Sequence, residues 1–230
     1  MVLWPRPRPA GEGVDMDFAQ YLERRWENLL EQAIGQVTVV ALAVVIATAI
    51  GMLVGIMVWR SQRRSGVAIA ICATLLTIPS LALLALLIPL LGLGWAPTIV
   101  ALVLYSLLPI VRNTVTGLRN VDASVIEAAR GMGMSQVRAL LRVQLPLAWP
   151  VILAGIRVAT QMLFGVATIA AYVAGPGLGN EIFTGLSRLG SKNALNQALA
   201  GTIGVVLLAV LFDALFVIVR RFTTPRGIRV

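Results

Sequence analysis

The stretch "EAARGMGMSQVRALLRVQLP", residues 127–146, decides the fold. It carries Glu127, Arg130, Arg138 and Arg142 with two close glycines, and it lies between long apolar runs. Working outward from it, the chain is 58% apolar and only 13% charged, with a mean hydropathy of +0.88. Soluble domains carry roughly a quarter charged residues. Here charge is gathered into patches, leaving uncharged runs able to span a hydrocarbon layer of about 30 Å. No run alternates with period two, and a bilayer excludes unpaired backbone, so the chain reads as an all-α integral membrane protein.

Five spans are predicted, at about 34–59, 67–91, 98–111 or 98–118, 149–174 and 198–219. Residues 1–16, rich in proline, read as a disordered tail, and Met16 is an alternative start. Phe18, Tyr21, Leu22, Trp26, Leu29 and Leu30 recur at helical spacing among charges, so 17–32 reads as an amphipathic interfacial helix. Residues 33–220 form the transmembrane domain, with a polar loop at 119–146, and 221–230 a cytoplasmic tail. With the N-terminus outside, Arg60, Arg63, Arg64, Arg112, Arg119, Arg130, Arg138, Arg142, Arg220, Arg221, Arg226 and Arg229 are all cytoplasmic. The outer side then keeps only Arg6, Arg8, Arg24, Arg25, Arg188 and Lys192. This asymmetry predicts N-out, C-in topology and explains the net charge of +9 without nucleic acid.

Within the loop, Glu127-Ala128-Ala129-Arg130 suits a helix that Gly131 and Gly133 turn or end. Ser135 caps a second helix, Val137, Leu140 and Leu141 form one face of it, and Leu145-Pro146 stops it before span four. A connector anchored by arginine to headgroups would explain charge alone. The spacing goes further. Glu-Ala-Ala, three residues, Gly133, nine residues, Val143, one residue, Leu145-Pro146 resembles the EAA loop of ATP-binding-cassette (ABC) importer permeases, with valine where isoleucine is commoner. "TIPSLALLALLIPLLGLG" (77–94) and "ALVLYSLLPIVRNT" (101–114) resemble the osmoprotectant branch of that family. "AYVAGPGLGNEIFTGL" (171–186) is similar to an outer loop shared with the methionine-type group.

The resemblance implies the type I importer permease fold, with Glu127, Ala128, Ala129, Gly131, Gly133, Leu145 and Pro146 coupling to an ATPase. Small Ala128, Ala129 and Gly133 would permit close approach by that partner. It further implies a second permease, an extracytoplasmic binding protein, a bacterial inner membrane and a quaternary-amine cargo such as glycine betaine, choline or carnitine. An amino acid is the alternative cargo, and a stand-alone secondary carrier the alternative class. The outer loop, shaped by Gly175, Gly177 and Gly179, would face the binding protein or form a surface turn.

Pro79, Pro89 and Pro109 each remove a helical hydrogen bond, so spans two and three are expected to be broken or kinked. Such kinks serve packing or line a pathway; Thr77, Pro79, Ser80, Tyr105, Pro109 and Asn113 are the pathway candidates. Gly51 and Gly55 form a small-xxx-small pair, suited to internal packing or a dimer seam. Arg157 and Asp213 each lie roughly 10 Å inside one boundary, which permits an ion pair or a snorkelling arginine.

No catalytic residue is expected. With no histidine and only Cys72, no metal set or disulfide framework is read. "GPGLGNE" follows no strand and lacks the last glycine of a dinucleotide fingerprint. No G-x-x-x-x-G-K-[ST] is present, so the chain needs no cofactor of its own, and ATP and Mg²⁺ would be used by the partner ATPase.

Overall fold

The computed structural model describes residues 17 to 223, and the expected tail at 1–16 and most of that at 221–230 lie outside them. Nine α-helices follow one another among the described residues: α1 (Phe18–Val58), α2 (Gln62–Thr77), α3 (Ser80–Leu91), α4 (Trp95–Arg119), α5 (Ala123–Gly131), α6 (Gln136–Ala139), α7 (Leu145–Ile169), α8 (Gly179–Ser187) and α9 (Ala194–Thr223). α1, α4, α9 and the rod from α6 through α7 are each long and apolar enough to cross a bilayer. α2 and α3 together make a fifth, bent by 93°.

α4 is the central helix. Its two packing faces depend on glycines that let neighbouring backbones approach. A Cβ on Gly51 of α1 would lie 2.7 Å from the Ile110 side chain, and one on Gly55 2.6 Å from Thr114. The Gly51–Gly55 pair therefore belongs to an internal seam. On the other side, a Cβ on Gly155 of α7 would lie 2.5 Å from Asn113 Cβ and 2.7 Å from the Pro109 carbonyl. Val39, Ala43, Leu102, Ile110, Ile152 and Phe164 fill the core between these helices and are fully or almost fully buried. Equal register along these seams makes α1 and α4 parallel and α7 antiparallel to both.

The structure bears out one sequence expectation and corrects two. The amphipathic segment 17–32 is not a separate helix, because α1 runs unbroken from Asp17's cap to Val58; Gly35 at the junction costs the helix only about 1 kcal/mol and does not end it. Span two is broken at Pro79, as expected, while α3 continues through Pro89 and α4 through Pro109. Proline biases its predecessor towards extended backbone, and Ile78 takes that conformation with ψ 128°. Its freed carbonyl accepts a hydrogen bond from the Tyr105 hydroxyl at 2.7 Å, which stabilises the break.

The second correction is at Leu145-Pro146, which does not end the second loop helix. α6 passes through one π-helical turn (Leu140–Gln144) directly into α7, making a single rod from Gln136 to Val173. Pro146 has no N–H with which to bond the Arg142 carbonyl. The chain widens there instead, and the Leu145 N–H reaches back five residues to the Leu140 carbonyl.

Candidate functional site

The polar loop folds as a knob on the end of the bundle where α1 and α4 finish and α7 begins. Asp122 caps α5 through the Ser124 N–H at 2.9 Å, a bond that holds its carboxyl below the usual carboxylate range. Gly133 ends the helix. Its φ of +82° is left-handed backbone, natural only to glycine. The Gly133 N–H bonds the Arg130 carbonyl at 2.8 Å and the Met134 N–H bonds the Ala129 carbonyl at 3.1 Å. These two bonds form a Schellman turn. Ser135 then caps α6 through the Arg138 N–H.

Polar contacts tie this knob to the bundle. Arg60 donates to Gln136 Oε1 at 2.9 Å. Arg119 donates to the Trp59 carbonyl at 2.9 Å and to buried Ser65 Oγ at 2.7 Å. Because α6 is continuous with α7, a force on the knob acts on the whole rod.

The knob's outer surface collects most of the coupling residues expected from sequence. Glu127, Ala128, Gly131, Gly133 and Pro146 are exposed, and Glu127 makes no hydrogen bond or ion pair among the described residues. Leu145 is half-buried and packs on the core. Ala129, unlike its neighbours, is buried, so its small side chain serves the knob's own packing. Sequence reading missed Met132 and Val125. Met132 is 72% exposed, and Val137 and Leu141, four apart on the following helix, are exposed as well, so the knob carries apolar surface besides Glu127. Its place between two glycines in an otherwise polar turn was the available signal.

The pathway candidates separate into two groups. Thr77, Pro79, Ser80 and Tyr105 gather at the α2–α3 break, with Thr77 bonded to the Thr74 carbonyl. Pro109 and Asn113 lie at the α4–α7 seam, where the Asn113 amide donates to the Pro109 carbonyl at 2.8 Å. Tyr105, Pro109 and Asn113 recur every fourth residue and so share one stripe of α4.

Arg157 and Asp213 meet as a bidentate pair, with Nε and one terminal nitrogen each 2.6 Å from a carboxylate oxygen. Gln161 donates to the same carboxylate.

At the opposite end, Gly175, Gly177 and Gly179, expected to shape the outer loop, are buried on its inner side. A Cβ on Gly179 would lie 2.1 Å from the Thr168 carbonyl, so the loop is pressed against α7. Fully buried Gln36 fastens it, accepting from the Leu178 N–H at 2.9 Å and donating to Phe164 O and Thr168 Oγ1. Buried Glu181 of α8, also missed from sequence, accepts hydrogen bonds from Tyr21, Arg25 and Gln32 of α1 at 3.0–3.1 Å. Tyr21, Arg25 and Gln32 fall on one helical stripe, a pattern legible within the amphipathic segment.

A family model described as "Binding-protein-dependent transport system inner membrane component" matches residues 47–224. The Choline transport system permease protein OpuBB of Bacillus subtilis is 39% identical, over 91% of this chain and 95% of that protein. The Osmoprotectant import permease protein OsmW of Salmonella typhimurium is 39% identical, over 93% of this chain and 100% of that protein. Among solved structures, an inward-facing MetNI methionine ABC transporter chain matches with TM-score 0.76 and 21% identity, over 88% of this chain and 99% of that one.

Proposed function

The chain belongs to the binding-protein-dependent transport system inner membrane components, and from that premise we propose that it carries small osmoprotectants through an ABC importer. It is a multi-pass permease of the inner membrane with the type I importer fold, not an enzyme. The proposed cargo is glycine betaine, choline, carnitine or a related quaternary amine. One observation carries that choice: relatives matched over about nine-tenths of this chain are named for choline, for glycine betaine/carnitine/choline and for osmoprotectant import.

In this reading the knob docks on a separate ATPase, which uses ATP and Mg²⁺. Exposed Glu127, the apolar surface of Met132, Val137 and Leu141, and the knob's continuity with α7 support that role. A second permease, identical or homologous, completes the pathway, and an extracytoplasmic protein delivers cargo at the opposite end. The knob end is cytoplasmic and the N-terminus outside. Arg60, Arg63, Arg64, Arg119, Arg130, Arg138, Arg142, Arg220 and Arg221 lie on helix ends or loops at the knob end, as cytoplasmic segments require.

The test is a pull-down of the tagged chain from its native membrane in mild detergent, beside Glu127→Lys and Gly133→Asp variants. The expected result is an ATPase and a second permease with the wild type, and loss of the ATPase alone from both variants. The co-purifying binding protein is then titrated with glycine betaine, choline and methionine. Recovery without an ATPase refutes the coupling role, and binding of methionine alone refutes the cargo.

A further inference from the structure

Two arginines from different helices line one cavity at the knob end of the bundle. It has a volume of about 280 Å³ and lies between α7 and α9, with walls from Pro150, Leu153, Ala154 and Phe216 beside Arg157 and Arg220. Helix direction explains the convergence. Cα–Cβ bonds tilt towards a helix's N-terminus. α7 starts at the knob end, so Arg157 leans towards that end. α9 finishes there, so Arg220 leans back along the helix into the bundle.

The charges in this cavity do not balance. The Asp213 carboxylate is engaged by Arg157 at 2.6 Å through both oxygens and by the Gln161 amide. Arg220 makes no hydrogen bond or ion pair among the described residues. One positive charge, on exposed Arg220, is therefore left at the mouth of an otherwise apolar cavity. Arg220 belongs to the last turn of α9, while Asp213, which holds Arg157, lies about two turns earlier on the same helix, roughly 10 Å deeper. That range spans the boundary between headgroups and acyl chains. A soluble anion would have to leave water to reach it, whereas a phospholipid already holds its phosphate there with hydrocarbon below.

We propose that this cavity binds an anionic phospholipid, with its phosphate between Arg157 and Arg220 and an acyl chain against Leu153 and Phe216. Charge selects the lipid class: a zwitterionic headgroup brings its own cation and cancels the attraction. Guanidinium groups suit phosphate oxygens through paired, charge-assisted hydrogen bonds. The site is independent of the transported cargo.

The full chain, purified with its partner subunits, is titrated with dioleoyl phosphatidylglycerol or dioleoyl phosphatidylcholine and read by native mass spectrometry. Phosphatidylglycerol is expected to bind in preference, with affinity falling about tenfold in Arg220→Gln, as loss of a charge-assisted contact implies. Arg220→Lys should recover part of that loss, and Arg188→Gln at the far end should bind as wild type. A readout that needs no variant is hydrogen exchange across residues 212–223, which phosphatidylglycerol should slow and phosphatidylcholine should not. Equal binding of both lipids, wild-type affinity in Arg220→Gln, or displacement of the lipid by millimolar inorganic phosphate would each overturn the proposal.

Discussion

Replacing Gly133 with alanine tests whether the knob's shape depends on one backbone conformation. Gly133 sits at φ +82°, where a residue with a Cβ pays about 1–2 kcal/mol. No heavy atom lies within 4 Å of the position a Cβ would take, so no clash adds to that cost. The whole effect falls on the turn closed by the Gly133 and Met134 N–H groups. A loss of that size lowers the ratio of closed to open turn by a factor of about 5–30. Gly131, two residues earlier, is equally open but helical, without a positive φ. Alanine there should favour the helix by up to about 1 kcal/mol.

The two variants should therefore move in opposite directions. Hydrogen exchange at the Met134 amide in the assembled transporter is the direct assay, with uptake measured beside it at matched membrane levels. Exchange should be about 5–30 times faster in Gly133→Ala, intermediate in Gly133→Asn because asparagine tolerates this region, and no faster in Gly131→Ala. Exchange in Gly133→Ala within twofold of wild type would refute the conformational argument. Should uptake collapse equally in both alanine variants while only one exchanges faster, the glycines are needed for close approach by the partner and not for the turn.

Gly155→Ala should destabilise the bundle by about 3 kcal/mol or more, because its Cβ meets the Pro109 carbonyl, which cannot rotate away. Gly165→Ala, with nothing within 4 Å, should melt at or above the wild-type temperature in detergent; equal melting of the two variants would contradict the packing at the α4–α7 seam. For the ion pair, a double-mutant cycle of Arg157→Gln and Asp213→Asn should show a coupling energy of about 0.5–3 kcal/mol in thermal unfolding. Strict additivity would mean that the contact contributes nothing.

How far the sequence reaches is clearest at its prolines and glycines. The break at Ile78-Pro79 and the turn at Gly133 were legible because each follows from the covalent chemistry of adjacent residues. The helix through Pro109 and the rod through Pro146 were not. A missing N–H can be met by breaking, kinking or widening a helix, and neighbouring helices choose among these outcomes. Ala129 shows the same limit in one side chain: it sits next to exposed Ala128 in a helical run, yet it is buried.

By itself, then, the sequence determined that the chain is an all-α membrane protein, where its spans lie, and which loop could bear on a partner. Composition sets the solvent, periodicity sets the element, and fixed spacing within one loop survives any packing. Only the tertiary structure decided that Gly175, Gly177 and Gly179 face inward, and that Glu181 receives Tyr21, Arg25 and Gln32 from about 150 residues away. It also brought Arg157 and Arg220 to one cavity. Local rules act within a turn of chain, whereas close approach and charge balance belong to surfaces that residues far apart in sequence build together.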